Sequence, residues 1–271
     1  MSIALLLGIC IGAILGLTGA GGGMLAVPAL VTAMGWSMQQ AAPVALIAVS
    51  LSATLGAWDG YRKRLLRWRG ALLMAASGAP MTWLGAKLAA HLSQPMLQGL
   101  FAIAMSAAAV RMLQQSVPWR QAEAEAQIGR IATVCEVTGR FQWNWPTAFL
   151  LMAIGALTGT LTGLLGVGGG FVMVPLLRRF SNVSMHGIVA TSLSVIALVG
   201  LAGVVSSVAR GIHLPLIPTA AFAAACMVGM LLGRRLAQHL SSSAVQRGFA
   251  VLLLLIAARI AWQVMPSLLP N

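Results

Sequence analysis

The stretch GLTGAGGGMLAVPAL at residues 16–30 returns as GLLGVGGGFVMVPLL at residues 163–177, 147 positions further on. Glycine at this density breaks a helix, since each one in a helix interior costs about 1 kcal/mol relative to alanine. The likeness spreads outward from the break. Gly8, Gly12 and Gly16 match Gly155, Gly159 and Gly163; GAKLAAHLS from Gly85 answers GRRLAQHLS from Gly233; Gln98, Phe101 and Arg111 match Gln246, Phe249 and Arg259. The chain is two copies of one unit. Residues 1–113 read as a first membrane repeat, 114–145 as a polar cytoplasmic linker with Glu123, Glu125 and Glu136, and 146–271 as a second membrane repeat.

The 271 residues are 59% hydrophobic and 8% charged, with mean hydropathy +0.91, outside the range of a soluble domain with a polar skin. The apolar runs are continuous, rich in Leu, Ala and Met, and suited to a hydrocarbon layer about 30 Å thick. They lack the alternation of barrel strands. The formal charge of +13 does not point to nucleic acid, because the basic residues sit in short clusters between apolar runs without interleaved aromatics. Residues 1–20 lack the basic start of a secretory signal, and their glycines recur in mid-chain, so they read as part of the fold. Cys10, Cys135 and Cys226 are odd in number and without a His neighbour, which indicates neither a disulfide framework nor a metal site. No cofactor is expected.

Each copy holds three plain crossings, near residues 40–60, 70–91 and 95–113 in the first and 187–209, 215–236 and 244–265 in the second. Ahead of them lies a helix of about 17 residues, the glycine break and a short apolar piece. If that stretch returns to its starting side, the second copy is inverted. Anchoring the basic loop YRKRLLRWR, residues 61–69, in the cytoplasm then leaves Lys87, Arg210 and Arg259 as the basic residues on the far side. A single crossing would make the copies parallel and misplace Lys87, Arg178, Arg179, Arg234, Arg235 and Arg247. The expected fold is an all-α polytopic membrane protein of two inverted repeats. Each is a Gly-broken helix pair or re-entrant hairpin plus three transmembrane helices, giving about 8 to 10 membrane segments.

Within lipid, irregular backbone is tolerated only against protein or beside a polar cavity. A short helix after each break would aim its dipole and free N–H groups at the break, which suits an anion. Pro28 and Pro175 are expected to kink or shorten those helices. Glycines four apart on one face read as close packing surfaces; the contiguous triplets do not, and read as site lining. Of the four acidic residues, Asp59 alone lies outside the linker. A cation site normally demands buried carboxylates.

The pattern G-L-x-G-x-G-G-G-x-x-x-V-P-x-L, present twice, together with ATSL at residues 190–193, resembles the TauE/SafE-type sulfite exporter family, also called the toluene sulfonate uptake permeases. The resemblance covers nearly the whole chain. It implies a carrier of small sulfur-containing anions, such as sulfite, thiosulfate, sulfoacetate or related organosulfonates, in a bacterial inner membrane. Where the second copy has Ala190, Thr191, Ser192 and Leu193, the first has Pro43, Val44, Ala45 and Leu46, so the hydroxyl ligands are assigned to one copy. The expected substrate-binding set is Gly19, Gly21, Gly22, Gly23, Gly166, Gly168, Gly169, Gly170, Thr191 and Ser192. His186, just before that turn, is the candidate for proton coupling. Import or export, and monomer or homodimer, stay open.

The remaining polar residues have plainer readings. His91 and His239 suit helix ends, Arg111 and Arg259 snorkel, and Trp36, Trp58, Trp68, Trp143, Trp145 and Trp262 suit an interfacial belt. GVGGG is no phosphate loop, since no Lys-Ser or Lys-Thr follows it, and Asp59 has no His and Ser partners for a triad. The chain is not expected to be an enzyme. An anion channel is the main alternative to a carrier, and a membrane-embedded enzyme or assembly factor is the alternative outside transport.

Overall fold

The computed structural model describes residues 2–19, 21–114, 132, 144–211, 215–237 and 242–268. Among them the first repeat forms α1 (Ser2–Thr18), a 3-10 turn (Gly22–Leu25), α2 (Ala26–Met34), α3 (Met38–Arg62), α4 (Trp68–His91) and α5 (Gln94–Gln114). The second forms α6 (Trp145–Leu165), α7 (Gly170–Phe180), α8 (Met185–Ala209), α9 (Leu216–Ala237) and α10 (Ser242–Leu268). Between residues 115 and 143 of the linker, Ala132 is described; its N–H donates to Phe180 O at 3.0 Å, tying the linker to the end of α7. Glu123, Glu125, Glu136, Cys135, Trp143 and His239 lie outside the described residues.

Local chemistry fixes several boundaries. A capping box opens α3, with Ser37 Oγ accepting from Gln40 N at 3.3 Å and Gln40 Oε1 accepting from Ser37 N at 3.4 Å. Ser184 Oγ likewise accepts from Gly187 N at 3.3 Å to open α8. Pro175 falls inside α7 as expected. Pro28 is the third residue of α2, directly behind the 3-10 turn from which the helix continues, and α2 is nine residues long.

The glycine faces pack backbone on backbone. A Cβ at Gly12 would overlap Cys226 O in α9, and one at Gly159 would overlap Gly78 O in α4. Gly229 and Gly233 of α9 meet Ile9 O and Ala13 O of α1 in the same way. The main pairs are therefore α1 with α9 and α4 with α6, joined by α3 with α8 and α5 with α10. Secondary pairs are α3 with α9 and α4 with α8. Exchanging every helix for its repeat mate maps this set of pairs onto itself.

Helices α3 and α8 run antiparallel. Gly60 near the end of α3 sits against Ala190 near the start of α8, with 2.6 Å between the Ala190 Cβ and a Cβ built at Gly60. At the opposite end, Gly203 of α8 sits 2.9 Å from Leu46 Cδ1 by the same measure. Leu177 at the end of α7 shares one apolar cluster with Leu151 near the start of α6 and Ala71 near the start of α4. Among the described residues six helices, α3, α5, α6, α8, α9 and α10, are long and apolar enough to cross a membrane. Expected as a crossing, α4 has 24 residues but is less apolar, carrying Arg69, Lys87 and His91. The first helix is short, at 17 residues.

Candidate functional site

The two breaks are built differently. After α1, Gly19 takes the left-handed conformation (φ 78°) and its N–H closes on Leu15 O at 2.8 Å. Gly21 stays right-handed (φ −81°) and leads into the 3-10 turn. After α6, Gly166 (φ 72°) repeats the first cap, its N–H donating to Thr162 O at 2.8 Å, but Gly168 (φ 79°) and Gly169 (φ 57°) are also left-handed. α7 therefore starts at Gly170, whereas α2 starts only at Ala26, after the 3-10 turn.

Free amides were expected at both breaks. In the first, Thr18 Oγ1 donates to Ile14 O at 2.8 Å and accepts from Gly22 N at 3.1 Å, while Met24 N donates to Gly21 O at 3.0 Å. In the second, Val172 N reaches back to Gly169 O at 3.1 Å.

The structure brings the breaks together. A Cβ at Gly23 would lie 3.0 Å from Val167 O and 3.1 Å from Val49 Cγ1; one at Gly168 would lie 3.1 Å from Ile196 Cγ2 and 3.6 Å from Val49 Cγ1. Val49 and Ile196 are repeat mates, both 2% exposed or less, so the crossing point is sealed by apolar side chains.

On one side of this seal lies a cavity of about 370 Å³. It is walled by the start of α3 (Ser37, Gln40), the end of α6 (Gly163, Gly166) and the end of α8 (Ser207, Arg210). It reaches Gly166; Gly19, Gly21, Gly22, Gly23, Gly168, Gly169 and Gly170 are not among its lining residues. Arg210 is its charged lining residue. Its Nε donates to Ser206 O at 3.1 Å, Nη1 to Ala86 O at 2.6 Å and Nη2 to Ser207 Oγ at 3.4 Å. Partial burial lowers the Arg210 pKa from its ordinary value, since the charged form is desolvated.

The other end of α3 is tied to a neighbouring helix. Asp59 Oδ2 meets Arg234 Nη2 at 2.8 Å and Lys63 Nζ at 3.0 Å, and Arg234 Nη1 donates to Gly56 O at 2.9 Å. This joins α3 of one repeat to α9 of the other. The repeat mate of Asp59 is Ser206 and that of Lys63 is Arg210. Because the loop before α9 is one residue longer than that before α4, the mate of Arg234 is Ala86. Thus the tied end carries Asp59, Lys63 and Arg234 where the cavity end carries Ser206, Arg210 and Ala86.

Thr191 and Ser192 stand on the tied side and are not cavity lining. Both are buried. Thr191 Oγ1 donates to Gly187 O (2.7 Å) and accepts from Arg67 N (3.3 Å), and Ser192 Oγ donates to Val189 O at 3.0 Å. Gly19 packs on Val189 there. His186 is exposed in the first turn of α8, also off the cavity.

Sequence reasoning missed Arg210 as a site residue, together with Thr158. That threonine is fully buried beside Gly169, and its Oγ1 has no hydrogen-bond partner. Its mate is Ile11, so a polar residue facing a repeat position that is apolar was the available signal.

A helical bundle with crossings enough for a multi-pass protein, two glycine breaks that meet and a cavity that ends at one of them fits the class of membrane transporters. The family model described as Sulfite exporter TauE/SafE matches residues 4–260, and the chain belongs to that family. It is similar to two proteins of Xylella fastidiosa, each named "Probable membrane transporter protein". The one from strain Temecula1 is 28% identical over 267 residues, covering 95% of this chain and 94% of that one. The one from strain 9a5c is 27% identical with the same coverage. A protein of the same name from Haemophilus influenzae is 28% identical over 114 residues, 42% of each chain. No solved structure matches the chain.

Proposed function

We propose that the protein is a secondary transporter of small sulfur-containing anions, sulfite, thiosulfate, sulfoacetate or related organosulfonates, working by alternating access across a bacterial inner membrane. The observation that carries this reading is the unequal make-up of two equivalent ends: a cavity reaches the second break at Gly166, while at the matching end the Asp59–Arg234 ion pair joins α3 to α9. The antiparallel α3 and α8, and the return of α7 towards the start of α6, support inverted repeats. In such a pair each end can open in turn about a common centre. The positive-inside rule then puts the tied end in the cytoplasm and the cavity outside.

The anion would be held where the breaks meet. Gly166, Gly168, Gly169 and Gly170 lie in one wall, Gly19, Gly21, Gly22 and Gly23 in the other, and Thr191 and Ser192 are reached once the tied end opens. The unpartnered Thr158 hydroxyl adds a polar group at this centre, where an unsatisfied buried donor is otherwise a cost of about 1–3 kcal/mol. The buried apolar pair Val49 and Ile196 beside the meeting breaks favours a carrier over a channel, because a standing pore would need polar lining there.

Flux of radiolabelled sulfite, thiosulfate and sulfoacetate into proteoliposomes tests the reading. Saturable movement of at least one is expected; movement of none would refute it.

A further inference from the structure

The two ends of the repeat pair form an internal comparison. At the tied end an internal carboxylate, Asp59, answers Lys63 one turn later on the same helix and Arg234 across the interface. At the cavity end the cation that caps the helix is kept, as Arg210, but the carboxylate position is Ser206 and the facing arginine is Ala86. Ala86 leaves open the space that Arg234 fills at the other end, and it lines the cavity. Ser206 is 5% exposed and its hydroxyl has no partner. No carboxylate faces Arg210 among the described residues, since Asp59 is the acidic residue they contain and it stands at the opposite end of α3.

Three of the five guanidinium N–H groups of Arg210 are engaged by Ser206 O, Ala86 O and Ser207 Oγ. The two left match the needs of one oxyanion, a sulfonate, sulfite or carboxylate. The Ser37 and Gln40 backbone amides cannot serve in their place, because the capping box already satisfies them. The cavity volume of about 370 Å³ is in the range of small-molecule sites, roughly 300–1,000 Å³.

We propose that Arg210 is the headgroup site for the transported anion in the cavity, where the external oxyanion takes the place that the Asp59 carboxylate holds at the tied end. The tied end is neutralised from within, and the cavity end is neutralised by the solute. This rests on the anion-transport reading and adds to it the residue that first selects for charge.

The test is isothermal titration calorimetry on the purified full-length protein in uncharged detergent, with sodium sulfoacetate and sodium sulfite as probes. Wild-type protein is expected to bind at least one probe. Arg210→Gln should weaken that binding at least tenfold, and Arg210→Lys, which keeps the charge, should recover part of it. Ser206→Asp, which supplies the missing carboxylate one turn before Arg210, should also weaken it at least tenfold. Circular dichroism and gel filtration confirm that each variant is folded, and Gly99→Ala, whose added Cβ meets nothing within 4 Å, should keep wild-type affinity within about threefold. Absence of binding to wild type, or unchanged affinity in Arg210→Gln, overturns the inference. Binding lost in nanodiscs of phosphatidylglycerol but kept in phosphatidylcholine would assign the site to an anionic lipid headgroup and also overturn it. Binding that depends on Arg210 without any flux in proteoliposomes would instead refute transport while leaving the anion site standing.

Discussion

Replacing Asp59 by asparagine should loosen the tied end and shift the protein towards the state open on that side. Asn keeps the shape and can still accept from Arg234 Nη2 and Lys63 Nζ, so what is lost is the charge on two contacts of 2.8 and 3.0 Å. A hydrogen bond to a charged group contributes about 1.5–3 kcal/mol net, and an exposed ion pair about 0.2–1 kcal/mol. The side chains are 38% exposed at Asp59, 28% at Arg234 and 56% at Lys63, so water screens the pair and a loss of about 1 kcal/mol is the fitting figure. That is about a fivefold change in a two-state equilibrium. The reporter is Val189→Cys, smaller than the valine that covers Gly19, in a background with Cys10, Cys135 and Cys226 replaced. Asp59→Asn should raise its maleimide labelling rate about fivefold, while Ala42→Cys at its repeat mate is labelled at much the same rate. High salt should speed labelling in the parent but not in the Asn variant. Unchanged labelling of the Val189→Cys reporter in both Asp59→Asn and Arg234→Gln would refute a latch at this pair.

Three further outcomes follow from the packing, the buried hydroxyl and the topology. Gly12→Ala and Gly159→Ala each drive a methyl into a facing backbone carbonyl and should destabilise by about 1–3 kcal/mol. Gly99→Ala, with nothing within 4 Å of its added Cβ, should be neutral or stabilising by up to about 1 kcal/mol in the same unfolding titration. Thr158→Val removes an unpartnered buried hydroxyl and should stabilise by about 1 kcal/mol while weakening sulfoacetate binding several-fold; a stable variant with unchanged affinity would remove Thr158 from the site. Alkaline phosphatase and green fluorescent protein fusions should place the linker in the cytoplasm and both termini outside; termini and linker on the same side would contradict inversion.

The sequence was most legible where one chemistry dominates. Apolar runs set α3, α5, α8, α9 and α10 to within a few residues, and glycines four apart announced close packing before their partners, α9 and α4, were known. Pairing across the repeats was not legible, because Asp59 reads as a helix-end residue until Arg234, far away in the chain, is seen beside it. Arg210 looked like a residue that merely marks the far side, since a lone arginine in a loop carries no pattern. Its meaning comes from Ser206 and Ala86 standing where Asp59 and Arg234 stand in the other copy. Thr191 was picked for its hydroxyl, yet in this state that hydroxyl is spent on Gly187 O and Arg67 N, a competition that backbone geometry decides and spacing does not. The matching glycine triplets likewise hid unequal breaks: the same residue type permits both signs of φ, so Gly21 and Gly168 could diverge without any change of letter.

Counterflow tests alternating access most directly. Proteoliposomes loaded with millimolar unlabelled sulfoacetate are diluted into trace radiolabelled sulfoacetate, with the membrane potential and pH difference collapsed. A carrier whose two ends open in turn around one anion site gives transient accumulation of label above the outside concentration, saturating with substrate and lost in Arg210→Gln. Label that only equilibrates, at a rate linear in concentration and with no overshoot, would show a pore and contradict the account.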